Sequence, residues 1–149
     1  MRQRRGPEPD PPGVESYEFV VPGRPASVHE KNREEREAWI DRVIISAMRA
    51  APAIPPFLDT PARVTIVFLI ASGRRRRDVD NVIKPILDAM VPAYYADDEV
   101  VSDVQAHRRT WRDKVDEDRL PEPLRVAWVE RVECTYVRIE NAPRLEELL

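Results

Sequence analysis

"ARVTIVFLI", residues 62–70, decides how the rest of the chain is arranged. This apolar, β-branched run is bounded by Pro61 before it and by Ser72 and Gly73 after it. A strand without polar alternation needs cover on both faces, so the run reads as the buried central strand of a sheet. Upstream, apolar residues at Ile40, Ile44, Ala47, Met48 and Ala51 recur with helical spacing, and Glu34, Glu35, Arg36 and Glu37 form a polar start. That pattern predicts a helix from about Arg33 to Ala51, lying on the sheet. Further upstream, Tyr17–Val21 (YEFVV) suits a short strand that Pro22, Gly23 and Pro25 stop, and a proline-containing loop follows it.

Downstream of the central strand, "RRRRDVDNVIKPILDAM" (74–90) leads into a second helix. Pro85 has no N–H and crowds the carbonyl four residues back. The expectation is a distorted first turn, or a helix that begins near Lys84, rather than a smooth helix from Asp80 to Met90. Partial alternation in EVVSDVQAHRRTW (99–111) predicts another strand, and a last strand is expected within RVECTYVRI (131–139). The polar segment 112–123 reads as a loop, and LRVAWVE (124–130) fits either a strand extension or a helical turn. The predicted fold class is α+β: one domain, in the order β-α-β-α-β-β, with a mixed sheet and packed helices.

Whole-chain properties limit the functions open to it. A chain of 149 residues that is 42% hydrophobic has the material for one core. The first fifteen residues carry four prolines, two glycines and almost nothing apolar, so 1–15 is expected to be a flexible tail, 16–140 the folded domain and 141–149 a short C-terminal tail. A net charge of -3 argues against a generally basic body, so any anion site must be local. The single cysteine, Cys134, excludes an intrachain disulfide and is expected in the core, since no activating partner can be placed beside it. With no run long enough to cross a bilayer, no membrane association is expected, and a cytoplasmic location is the plain reading.

The local anion site is found in the segment after the central strand. Residues 74–84 hold five positive and two negative side chains, a local charge of +3. Guanidinium groups of Arg74, Arg75, Arg76 and Arg77 suit phosphate oxygens, so this is where a nucleic-acid backbone is expected to bind. Asp78 and Asp80 are two residues apart and can point the same way. Lys84 and Asp88 lie one helical turn apart, and Asp97-Asp98-Glu99 stands just ahead of the next strand. If neighbouring strands bring these loops together, three carboxylates converge. Such a cluster repels itself unless a cation sits in it. Hard oxygen ligands, with His29 and His107 isolated, favour Mg²⁺ or its substitute Mn²⁺ over zinc. A divalent ion there would polarise a phosphoryl oxygen and acidify a water for in-line attack on a phosphodiester, with Lys84 stabilising the developing charge. Taken singly, each piece has an ordinary explanation as a surface ion pair or a cap. The joint pattern Asp-x-Asp-Asn-x-x-Lys-x-x-x-Asp followed by Asp-Asp is what sets the segment apart.

DVDNVIKPILDAM followed by YYADDEVVSDV closely resembles the motif of the RusA endodeoxyribonucleases, which resolve Holliday junctions. The specific resemblance covers about residues 74–104, and a looser one covers the strand, loop, helix and strand before it. It implies a Mg²⁺-dependent homodimeric nuclease of α+β fold that cuts four-way junctions symmetrically. Asp78 and Asp80 match the family's paired catalytic carboxylates, Asp98 matches its third, Lys84 its functional lysine, and Arg74–Arg77 a basic stretch. MVPAYYADD departs from the family in having Pro92 and no glycine, and residues 112–130 are long for a hairpin. A two-fold dimer suits a substrate that must be cut on two opposed strands. Two other readings stay open at this stage: a nuclease for flaps or forks, and a branched-DNA-binding module without activity.

Overall fold

The computed structural model describes residues 16–26, 32–71 and 80–149; for Asp80 and Asn81 only the backbone is described. Four strands form one sheet: β1 (Ser16–Pro22), β2 (Ala62–Leu69), β3 (Val101–Arg109) and β4 (Cys134–Asn141). Their spatial order is β1-β4-β2-β3. β2 and β3 run parallel, which requires a crossover, and α2 (Asp80–Ala89) lies on it. β4 is antiparallel to both β1 and β2 and fills the space between them. The expected mixed sheet is present, and 62–70 is its central strand, with Ala62, Val64, Ile66 and Leu69 fully buried.

Two apolar layers cover the sheet. On one face, Phe19, Val64, Ile66, Phe68, Val137 and Ile139 pack against α1 (Arg33–Ala50) and α2. On the other, Leu69, Cys134 and Tyr136 pack against Leu124, Ala127 and Trp128 of α3 (Glu122–Glu130). Full burial of one such aliphatic side chain contributes about 1.5–3 kcal/mol, so β2, which feeds both layers, anchors the domain. Cys134 is a free thiol in the core, as expected, and burial pushes it up to about 11.

Helix α1 begins where its chemistry dictates. Asn32 caps it, its Oδ1 accepting from Glu34 N at 3.1 Å and Glu35 N at 3.2 Å, and those two acids face the positive end of the helix dipole. The buried face differs from the expected one. Trp39, Val43 and Ala47 are fully buried, whereas Met48 is 63% exposed. At 100° per residue Met48 lies about 140° from the centre of the Trp39-Val43-Ala47 line, and the large indole decides which face turns inward.

Two expectations for the later elements need correction. Pro85 does not break α2, which is helical from Asp80 through Ala89. The proline removes one hydrogen bond, to the Asn81 carbonyl in the first turn, while Val82, Pro85, Ile86 and Ala89 bury one face. Packing of that face outweighs the lost bond. LRVAWVE is helical, because Leu124, Ala127 and Trp128 fall on one face three and four residues apart, so the element order gains a helix before the last strand. α3 ends at Arg131, in the left-handed conformation at φ 58°. Arg131 N–H donates to Trp128 O at 3.3 Å and Val132 N–H to Ala127 O at 3.0 Å. The last strand, expected within 131–139, starts at Cys134. It continues to Asn141, and a four-residue helix, α4 (Leu145–Leu148), follows.

Candidate active site

Lys84 projects from the middle of α2 and holds two carboxylates. Its Nζ donates to Asp98 Oδ2 at 2.6 Å and lies 2.9 Å from Asp88 Oδ1. The second contact is the one-turn pairing that the spacing predicted. The first joins residues fourteen apart and is created by the crossover: α2 leads to the segment that opens β3, and Asp98 begins the short 3-10 turn (Asp98–Val100) before that strand. Hydrogen bonding from Lys84 holds the Asp98 carboxyl below the usual carboxylate range, and the bonds to Asp98 and then Asp88 raise the Lys84 ammonium well above its ordinary value. Both groups are therefore charged throughout the neutral range.

Three neighbours position Asp98. Asp97 caps the 3-10 turn, its Oδ1 accepting from Glu99 N at 2.9 Å. Tyr95 O–H donates to Leu87 O near the end of α2 at 2.6 Å, and Tyr94 O–H donates to Ala47 O of α1 at 2.9 Å. Both rings are fully buried. Burial, and then the charges of Asp98 and Asp88, push the Tyr95 phenol up, which puts the ring in the field of both carboxylates. Neither tyrosine was singled out as a site residue from the sequence. The one signal was a pair of adjacent aromatics directly before the acidic run in a chain that is only 7% aromatic.

The remaining predicted site residues are placed as follows. Asp78 and Arg74–Arg77 lie outside the described residues, as does His29. Asp80 is the first residue of α2, one turn before Lys84, and only its backbone is described. His107 sits on β3 opposite Val67 and faces the α3 side of the sheet. Among the described residues no group of three His, Cys, Asp or Glu side chains is placed to hold a metal. What is described fits a hard divalent cation in its chemistry: Asp98 is ionised and partly exposed, and the Lys84 that bonds it stands one helical turn after Asp80 on α2. No helix among the described residues is long and apolar enough to cross a membrane.

An α+β domain whose crossover helix presents a charged lysine between two carboxylates has a site suited to phosphoryl transfer, in which fixed positive charge meets developing negative charge. The family model described as "Endodeoxyribonuclease RusA" matches residues 17–121, which contain β1 from Tyr17 onward, β2, β3 and the Lys84, Asp88 and Asp98 cluster. The chain belongs to the RusA endodeoxyribonuclease family. Helix α3 and strand β4 lie beyond the matched span. A comparison with curated proteins finds no match.

Proposed function

We propose that this protein is a Mg²⁺-dependent endonuclease that acts as a homodimer and resolves four-way DNA junctions by paired, symmetric hydrolysis of two opposed strands. The observation that carries the reading is Lys84 bound to Asp98 at 2.6 Å within the family-matched span. Asp78, Asp80 and Asp98 would hold the ion, with Mn²⁺ as a substitute. When bound, it supplies charge that polarises the scissile phosphoryl group and makes water more acidic. Lys84 has three N–H donors and engages two carboxylates, which leaves one for a phosphoryl oxygen. Its charge also lies between Asp98 and Asp88 and offsets the repulsion between the two carboxylates. Arg74–Arg77 hold the backbone of the incoming strand. The burial of Tyr94 and Tyr95 keeps the Asp98 segment in place when substrate binds.

Incubating the protein with an immobile four-way junction, beside a linear duplex of the same arm sequence, tests the proposal. Paired nicks in the junction alone are expected with Mg²⁺, and chelator or Asp80→Asn should abolish them while binding persists. Selective binding without cutting under any metal condition would refute the enzymatic reading.

A further inference from the structure

At the far end of the sheet from Asp98, Ala71, Trp111, Arg112 and Arg131 line an open cavity of about 380 Å³. Its walls come from three elements. Ala71 follows β2, Trp111 and Arg112 follow β3, and Arg131 ends α3; the two strand ends are tied by Ile70 N–H donating to Arg109 O at 3.1 Å. Arg131 donates from Nη1 to Trp111 O at 3.3 Å, which sets its guanidinium against the loop. A tight turn presents Arg112: Thr110 N–H donates to Asp113 Oδ2 at 2.8 Å, and Arg112 N–H to Thr110 Oγ1 at 3.2 Å.

We infer that this cavity is a second phosphodiester-binding site, one that grips a duplex arm of the DNA away from the strand being cut. The inference rests on the nuclease reading given above. Two arginines and an indole meet there, and neither Arg112 nor Arg131 has an ion pair with a carboxylate among the described residues. Asp113, beside Arg112, accepts from Thr110 N, and Glu133 Oε2 accepts from Ala71 N at 3.1 Å, while Glu130, beside Arg131, is exposed and forms no ion pair among the described residues. Guanidinium groups beside an aromatic plane suit a sugar-phosphate chain. Arg131 adds a second argument. Its φ of 58° is the left-handed conformation that favours glycine or asparagine at a helix end, and arginine gains nothing there from its backbone. Strain of this kind points to a use for the side chain. β3 alone spans about 30 Å at its ordinary rise, so this contact lies well away from Asp98 along the sheet.

The test uses the full chain with Arg131→Gly, the double variant Arg131→Gly/Arg112→Ala, and Arg125→Ala on the exposed face of α3 as a charge control. Binding to a fluorescent four-way junction, without Mg²⁺, is followed by anisotropy across a range of salt concentrations, beside thermal melts. Arg131→Gly should melt no lower than the parent, because glycine relieves the backbone. The double variant should bind about tenfold more weakly, with a slope of log affinity against log salt shallower by about 1 to 2, while the Arg125 control stays within about twofold. Unchanged affinity in the double variant, with the parent still binding and cutting junctions, would overturn the arm site and leave the nuclease reading intact. An equal loss in the Arg125 control would overturn it too, as would Arg131→Gly melting several degrees lower with no change in salt slope. A parent that neither binds nor cuts the junction would overturn both readings.

Discussion

Tyr94→Phe isolates one of the bonds that tie the Asp98 segment to the rest of the domain. The Tyr94 hydroxyl donates to Ala47 O at 2.9 Å, and that carbonyl lies in the last turn of α1, where helical partners run out. Ala51 N–H, which would reach Ala47 O in a continuing helix, bonds Met48 O at 3.3 Å instead. Both Ala47 and Tyr94 are fully buried, so water cannot replace the hydroxyl. Phenylalanine keeps the ring stacked on Phe19, at 6.1 Å between centroids, and edge-on to Tyr17 at 6.0 Å, so the loss is confined to one hydrogen bond. Leaving a buried carbonyl unpaired costs roughly 1–3 kcal/mol, and complete burial at both ends puts this case near about 2 kcal/mol. For a chain of this length that corresponds to a melting temperature lower by about 4–8 °C. Urea unfolding followed by circular dichroism should show the midpoint fall with the denaturant slope unchanged. A loss below about 0.5 kcal/mol would refute the reasoning, because it would mean that the Ala47 carbonyl has another partner or reaches solvent.

Two further predictions come from the charges. Lys84→Met removes both ion pairs of an exposed side chain, so the melting temperature should stay within about 2 °C of the parent. Junction cleavage should fall by about 100-fold or more; cleavage within about threefold of the parent would remove Lys84 from the mechanism. The buried phenols make stability sensitive to alkali. Burial pushes Tyr94 up to about 12 and raises Tyr95 and Tyr136 further, the last also through its hydrogen bond to Glu18, whereas an unfolded tyrosine titrates near about 10. Their folded values lie above the unfolded one, so their contribution is complete below about pH 10 and is lost as pH rises from there through about 12. Cys134, which burial pushes up to about 11, adds to this loss from about pH 9 upward, so urea midpoints should begin to fall above about pH 9 and drop further by about pH 11; a level profile to about pH 11.5 would contradict the burial of these groups.

The sequence by itself determined whatever rests on short-range periodicity. The apolar run 62–70 could only be a covered strand, Cys134 lay in a strand with no activating partner, and Lys84 and Asp88 had to meet because one helical turn separates them. The family motif at 74–104 was legible for the same reason: its spacing carries both the local fold and the residue types that phosphate chemistry requires. Tertiary structure alone decided where distant segments meet. β4 inserts between β1 and β2, pairing the backbone edges of both, and no local pattern encodes that choice. The face α1 buries was set by the volume of Trp39, which overrode the neighbouring aliphatic line and left Met48 in solvent. Pro85 stayed within a helix because a buried face outweighed one missing bond. Lys84 reached Asp98 only through the crossover, and the tyrosines that hold Asp98 in place did so through carbonyls at the ends of two helices. Such contacts depend on where helix ends fall in space, which residue spacing along the chain does not specify.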